Sequence, residues 1–208
     1  MKIASCGKVP GNLIRSKKRA FTISEVLVSA VLLVLIFGLT YQMLISAKKF
    51  WLMGDVRSDV QLNARLGFES MSRDLQSSTL DSVTTLTGSL KAISMLSGYN
   101  NGSIALNSEG KMLWQKYIIY YIPSGETKLL KLEVTNANVP GSTPVPLTSA
   151  ELTNYCNGLG KVAAFNVGNI SFATHPSSST IDVSISTQKS LFDQNNTSVV
   201  SGTITLRN

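Results

Sequence analysis

Glu25 is the one carboxylate in a long apolar segment of this chain. It is the only charged residue between Arg19 and Lys48, and residues 26–47 carry no charge at all. A carboxylate beside an apolar helix is costly in a membrane, since estimates for an acidic residue at the bilayer centre start at roughly 2.5–3.5 kcal/mol. Glu25 is therefore expected to need a positive partner. Because the apolar segment offers none, that partner should come from another molecule.

A basic run precedes Glu25 and ends at a small residue, Ala20, which is followed by Phe21. The basic residues of the run are Arg15, Lys17, Lys18 and Arg19. Residues 26–47 would form a helix of 22 residues, which at about 1.5 Å per residue crosses a hydrocarbon core about 30 Å thick. Lys and Arg beside a membrane span remain on its cytoplasmic side. The run therefore predicts a cytoplasmic N-terminus and an extracytoplasmic C-terminal domain.

The residue types used in catalysis and metal binding are scarce. His175 is the only histidine, and of the two cysteines Cys6 lies before the apolar segment, which leaves Cys156 alone after it. One His and one Cys make a zinc site or a Cys-His catalytic pair a poor interpretation. The sequence from Gly158 to Lys161 lacks the spacing of a phosphate-binding loop. We therefore expect no enzyme activity, no cofactor and no metal site.

The net charge of the chain is misleading when taken as a whole. The formal value is +7, but residues 1–20 hold six Lys and Arg and no acid. The remaining 13 Lys and Arg face 12 Asp and Glu, which leaves +1 on side chains. Binding to DNA depends on many Lys or Arg contacts with phosphates. We therefore expect no strong general nucleic-acid binding, and we interpret the basicity as a membrane-orientation signal.

The segment around Phe21 and Glu25 resembles the cleavage and methylation segment of type IV prepilins and pseudopilins. The matching residues are Phe21, Thr22, Ile23, Glu25, Val26, Leu27 and Val28. Two positions depart from the family pattern: Ala20 stands where Gly is usual, and Ser24 replaces a bulky apolar residue. Neither change alters the spacing from Phe21 to Glu25.

This resemblance implies a specific processing and assembly chemistry. A prepilin peptidase would cut the chain between Ala20 and Phe21, and the exposed Phe21 amine would be methylated. Glu25 would then neutralise the N-terminal amine of a neighbouring subunit, so that other pseudopilins or minor pilins would be its partners. The chain would reside in the bacterial inner membrane with a single span and enter a filament after cleavage.

The elements that must position these residues begin with one long helix. Beyond the apolar segment, apolar residues recur every three or four positions, which is typical of an amphipathic helix running to about Ser78. These apolar residues are Met53, Val56, Val60, Ala64, Phe68, Met71 and Leu75. Gly38, Gly54 and Gly67 are its weak points, each costing about 1 kcal/mol relative to Ala.

From about Leu80 onward the sequence predicts strands. The predicted strands are 89–97, 113–122, 127–135, 161–174, 181–188 and 199–207, with a turn at 123–126 that makes a hairpin of the second and third. Residues 136–150 are rich in Pro and Gly and are predicted to be a surface loop. A region of this size has room for one core but not two.

The predicted fold class is α+β: a long N-terminal helix, with a transmembrane half and an amphipathic half, packed on an antiparallel β-sheet head, as in pilins. The predicted division is a leader at 1–20, a transmembrane and assembly helix at 21–47, an amphipathic extension at 48–79 and a β head at 80–208. A membrane anchor with a coiled-coil stalk is the alternative for the helix. The apolar stripe of the helix lasts only about three heptads, which favours packing of the helix on the β-sheet over a coiled coil.

Short motifs farther along the chain narrow the resemblance to one subfamily. The segments Arg73-Asp74-Leu75, Tyr120-Tyr121, Leu129-Leu130-Lys131 and Thr205-Leu206-Arg207-Asn208 resemble the minor pseudopilin J of type II secretion and the PilW-like minor pilins. Each also has an ordinary interpretation, because Tyr forms strands well and a solvated helix face would carry Arg73 and Asp74 equally well.

The expected function is that of a structural subunit of a type II secretion pseudopilus. A minor pilin of type IV pili or of a competence system for DNA uptake is the first alternative. A signal-anchored extracytoplasmic binding domain, whose leader would not be removed, is the alternative from another class.

Overall fold

Helix α1 dominates the N-terminal part of the protein. A computed structural model describes residues 21–100, 103–135 and 139–207. In it α1 extends over Ile23–Gln76, so the predicted long helix is confirmed to within two residues at each end. The chain divides after Lys49 into two compact units, which are described separately.

The first unit presents α1 without any covering layer. Every residue from Phe21 to Lys49 is exposed, although this part of α1 is apolar on all sides. It is long and apolar enough to cross a membrane. An apolar helix surface that none of the described residues covers is compatible with lipid or other helices as its surroundings. The predicted membrane-compatible helix is confirmed in this sense.

In the second unit, α1 buries a single stripe of residues. The buried residues are Val56, Val60, Ala64, Gly67, Met71 and Leu75. Their spacing of three and four places them on one face, as the sequence predicts. Gly67 was expected to be a weak point of the helix. A Cβ added there would lie 3.1 Å from Ala164 Cβ and 3.3 Å from Leu129 Cδ2. The missing side chain thus permits close approach of α1 to the sheet.

Within the described residues the β-strands form three antiparallel sheets. Their bounds are β1 Thr84–Thr87, β2 Lys91–Ser97, β3 Tyr99–Asn100, β4 Ser103–Ile104, β5 Lys116–Ile122, β6 Lys128–Val134, β7 Lys161–Phe165, β8 Val167–His175, β9 Thr180–Leu191 and β10 Gln194–Thr205. The largest sheet has the order β1-β2-β5-β6-β7, the second has the order β10-β9-β8, and β3 pairs with β4. The α+β class is therefore confirmed.

The predicted hairpin is present as β5 and β6. Tyr121 pairs with Leu130 and Tyr117 with Val134 in an antiparallel ladder. Gly125 has φ 79°, a left-handed conformation that glycine adopts without steric cost. The turn at 123–126 therefore sets the register that brings Tyr120 opposite Lys131.

The prediction of one core is wrong, because the five-stranded sheet is buried on both faces. One cluster contains Ile93, Met95, Ile118 and Tyr120 together with Met71 and Leu75 of the α1 stripe. The other contains alternate residues of the same strands, among them Ala92, Leu96, Ile119 and Tyr121, with Trp114, Leu147 and Leu152 over them. Consecutive residues of a strand point to opposite faces, so the unbroken apolar run in β5 serves both clusters.

The predicted strand at 161–174 is two strands in two sheets. β7 pairs with β6, whereas β8 pairs with β9. Asn166 separates them with φ 58°, a conformation that Asn tolerates better than most residues. The gap between the predicted strands at 181–188 and 199–207 is also too long. Phe192 and Asp193 alone form the turn, both with positive φ, and β10 begins at Gln194.

The predicted surface loop at 136–150 is partly wrong. Its residues 136–138 lie outside the described part of the chain, but Val139 and Leu147 are buried. The loop leads into a short helix that was not predicted, α2 at Ser149–Tyr155. Thr148 and Glu151 form a capping box at its start, a T-x-x-E pattern that is visible in the sequence.

Candidate functional site

The N-terminus of α1 is the first candidate site, and Thr22 organises it. Thr22 N donates to Glu25 Oε2 at 3.1 Å, and Glu25 N donates to Thr22 Oγ1 at 3.3 Å. The Thr22 hydroxyl also donates to Glu25 Oε2 at 3.2 Å. These reciprocal bonds form a capping box, which satisfies N–H groups that the first turn of a helix leaves without partners.

Glu25 therefore has a local role that the sequence analysis missed. The signal was available as the T-x-x-E spacing from Thr22 to Glu25. A carboxylate in the first turn also interacts favourably with the positive end of the helix dipole. The capping box and the helix dipole thus offset part of the free-energy cost of placing the Glu25 carboxylate beside an apolar helix.

The capping box leaves half of the carboxylate available. Both hydrogen bonds from Thr22 to the carboxylate use Oε2, and within the described residues Oε1 has no hydrogen bond. Phe21 lies one residue before the box with 80% of its surface exposed. Ala20, the other half of the predicted cleavage site, lies outside the described residues.

A second polar cluster lies between α1 and the five-stranded sheet. The Tyr120 hydroxyl donates to Asp74 Oδ2 at 2.6 Å, and Lys131 Nζ contacts the same oxygen at 2.6 Å. Ser70 Oγ lies 2.7 Å from the Tyr120 hydroxyl. Asp74 is therefore not a solvated residue, and residues from three of the four motifs singled out in the sequence meet at one carboxylate.

Burial shapes the chemistry of this cluster. Desolvation, and then the negative charge of Asp74, raise the pKa of Tyr120 well above its ordinary value. Lys131 Nζ also lies 5.7 Å from the centre of the Tyr120 ring, within the range of a cation–π contact. Tyr120 therefore remains a protonated donor at neutral pH, and the cluster ties the end of α1 to β5 and β6.

A cavity of about 350 Å³ opens beside this cluster. Its wall includes Asp74, Lys131, Lys116 and Glu133. Lys116 and Glu133 form an ion pair of 2.5 Å, and the hydrogen bond from Lys116 lowers the pKa of Glu133. The acids of the wall are thus already paired with lysines, so the cavity resembles a structural junction more than a binding site.

The remaining candidate residues do not converge. Cys156 caps the end of α2, and burial raises the pKa of its thiol to about 11, so it is a poor nucleophile. His175 Nε2 lies 2.9 Å from Asp182 Oδ2 on an exposed sheet surface. Among the described residues no group of three metal-binding side chains forms.

Comparison of the chain with protein-family models, with curated proteins and with solved structures gives no match.

Proposed function

We propose that this chain is a minor pilin-like, or pseudopilin, structural subunit that is processed before Phe21 and assembles through its N-terminal helix. The observation that carries this proposal is the exposed Phe21–Glu25 site at the start of a helix that is apolar on all sides. Such a helix requires lipid before assembly and other helices after it. A β head that packs on the other half of α1 agrees with the pilin-like arrangement.

Cleavage would create the group for which Glu25 is suited. Hydrolysis of the Ala20–Phe21 bond consumes one water and leaves a positive amine on Phe21. Oε1 of Glu25 would then accept a hydrogen bond from the Phe21 amine of a neighbouring subunit. Oε2 would retain its hydrogen bonds from Thr22 in the capping box. Pairing offsets the cost of placing either charge among apolar helices.

The processing step is tested by the mass of the mature N-terminus. We expect a chain that starts at Phe21, with or without an added methyl group, when the protein is produced in cells that contain a prepilin peptidase. Retention of Met1 in those cells would contradict the proposal and favour the signal-anchored binding domain.

The assembly step is tested by three variants that separate the charge of Glu25 from its capping role. Glu25→Gln retains a residue that can complete a capping box but removes the charge. Thr22→Ala keeps the charge but loses the cap, at about 0.5–2 kcal/mol of helix stability. Glu25→Val removes both.

The measurement is co-purification with partner pilins from detergent-solubilised membranes. We expect Glu25→Gln and Glu25→Val to lose association and Thr22→Ala to retain it, with membrane insertion unchanged in all three. If Glu25→Gln associates as well as the parent protein, the carboxylate acts only as a cap and the assembly role is wrong.

The machine that would use this subunit is proposed to be a type II secretion system. A type IV pilus or competence system remains the alternative, and loss of secretion without loss of piliation in a deletion strain would separate them.

A further inference from the structure

Strand β10 forms an unprotected edge of the three-stranded sheet. It pairs with β9 in an unbroken register from Gln194 to Thr205, and on its other side no strand lies among the described residues. Natural edge strands usually carry charges, proline or a bulge that prevent further pairing. β10 has twelve residues without any Asp, Glu, Lys, Arg or Pro, so its backbone groups are open to another strand.

A groove follows this edge, between β10 and one side of α1. It has a volume of about 480 Å³ and is lined by Ser58, Gln61, Leu62, Arg65, Ser198 and Val200. A smaller cavity of about 230 Å³ shares Gln61 and Ser198 with it. Further along, Gly202 faces the ring of Phe68. The helix and the strand thus advance in the same direction, and the groove is elongated along them.

Two arginines give this groove and its adjoining cavity a positive charge. Arg65 lines the groove and Arg57 lines the adjoining cavity, and within the described residues neither makes an ion pair. Among the described residues, Asn196 Nδ2 is buried in the same region without a hydrogen-bond partner, so a ligand that accepts from it would be favoured. Leu62, with 54% of its surface exposed, adds an apolar contact. A ligand with carboxylates on an extended apolar backbone would match these features.

The spacing of the two arginines matches that of an extended chain. Arg57 and Arg65 are eight residues, or about 12 Å, apart along α1. Side chains four residues apart in a β-strand point to the same side and are separated by about 13 Å. We propose that the groove binds an extended acidic segment of a partner protein, which adds as a strand to the edge of β10 and directs two carboxylates at Arg57 and Arg65.

A second copy of this chain fits the site less well. Self-pairing of β10 would satisfy the backbone groups but would bring no carboxylate to Arg57 or Arg65, because β10 has no acidic residue. Strand addition by an extended peptide is a common recognition mode, in which backbone bonds supply affinity and side-chain pockets supply specificity. This site goes beyond the proposed assembly function, since it involves neither Phe21 nor Glu25.

The test uses the full chain in detergent micelles and a fluorescent synthetic peptide. The peptide alternates valine with polar residues and carries two glutamates about four positions apart, to match the arginines. Fluorescence anisotropy measures its affinity, and hydrogen exchange measures protection of the β10 amides. We expect saturable binding with slower exchange in β10.

Two control peptides and two variants make the test specific. Replacing both glutamates with glutamine should weaken binding about tenfold, and a central proline should abolish it because strand pairing requires the backbone N–H. In the protein, the double variant Arg57→Glu, Arg65→Glu should bind the glutamate peptide about tenfold or more weakly. The same variant should bind more tightly a peptide in which lysines replace the two glutamates. Lys161→Glu, at an exposed cation on β7, is the matched control and should bind as the parent does.

Several results would overturn the proposal. Equal affinity for the glutamate and glutamine peptides would show that Arg57 and Arg65 do not select the ligand. Equal affinity for the proline peptide would exclude strand addition. A concentration-dependent dimer that excludes the peptide, seen by analytical ultracentrifugation, would assign the edge of β10 to a second copy.

Discussion

The two halves of α1 differ in where their apolar partners come from. Up to Lys49 every residue is exposed, including bulky ones such as Leu33 and Phe37. Beyond Lys49 a stripe of small and apolar residues is buried against the sheets of the same chain. An apolar surface on all sides of a helix requires partners outside the chain, whereas a stripe on one side is satisfied within it. Periodicity thus indicates the source of the partner as well as the secondary structure.

The largest expected effect is the removal of a core side chain from the second half. Met71 is fully buried, and Met71→Ala should reduce the free energy of unfolding by about 2–5 kcal/mol through lost burial and a cavity. Leu33→Ala, in the exposed half, should change it by less than about 0.5 kcal/mol. Denaturant unfolding in constant detergent, followed by Trp114 fluorescence in a Trp51→Phe background, measures both. Equal losses of unfolding free energy in Met71→Ala and Leu33→Ala would contradict the idea that only the second half of α1 packs within the chain.

Two glycines in the second half of α1 differ in their surroundings. Gly67 lies close to Ala164 and Leu129 across the interface, whereas Gly54 has open space around it. Gly67→Leu should destabilise the head by about 1–3 kcal/mol through overpacking. Gly54→Ala should stabilise α1 by up to about 1 kcal/mol through helix propensity. The same unfolding assay applies, and stabilisation by Gly67→Leu would show that the helix is not in close contact there.

The polar cluster at the end of α1 should make the second half sensitive to alkali. Because burial raises the pKa of Tyr120 in the folded protein, the unfolded chain loses the phenol proton first. Stability is therefore retained below about pH 10, the ordinary tyrosine pKa, and falls as pH rises above it.

Unfolding at a series of pH values, with phenolate absorbance, measures this effect. Tyr120→Phe should cost about 1–2 kcal/mol at neutral pH through lost hydrogen bonds and should reduce the alkaline slope. Tyr99→Phe, at an exposed tyrosine, is the control and should leave the slope in place. An unchanged slope in Tyr120→Phe would contradict the assignment.

The smallest expected effect concerns an exposed ion pair. Lys189 Nζ lies 2.9 Å from Asp59 Oδ2, and both side chains are well exposed to solvent. Lys189→Ala should change the free energy of unfolding by less than about 0.5 kcal/mol, and high salt should remove the difference. A loss above about 1 kcal/mol, the upper end for exposed pairs, would mean that α1 depends on surface charge as well as on its buried stripe.

Much of the helix and the strands could be predicted because their signals are local. The spacing from Met53 to Leu75 predicts the buried face of α1, and the turn around Gly125 predicts the hairpin. The split at Asn166 was missed because a single residue separates two strand-like stretches. The break after Leu191 was predicted but made too long, because Asn195 and Asn196 have low strand propensity. The unbroken apolar run of β5 is a local signal of a strand buried on both faces, and the prediction of one core overlooked it.

The candidate sites also divide into those that have a local sequence signal and those that do not. Phe21 and Glu25 stand out in the sequence by type and spacing, and the capping role of Thr22 was also readable there. The meeting of Asp74, Tyr120 and Lys131 was not, because those residues are distant in the chain and their distances depend on strand register.

The sequence alone determined the apolar helix, the isolated carboxylate at Glu25 and the change from helical to strand-like periodicity, since each follows from neighbouring residues. Only the tertiary structure decided that Gly67 is a contact, that Asp74 is paired, which segments cover the two faces of the sheet and that β10 lies beside Arg57 and Arg65 with a free edge. These properties depend on which distant segments pack together, and burial and pairing are properties of that packing rather than of any one segment.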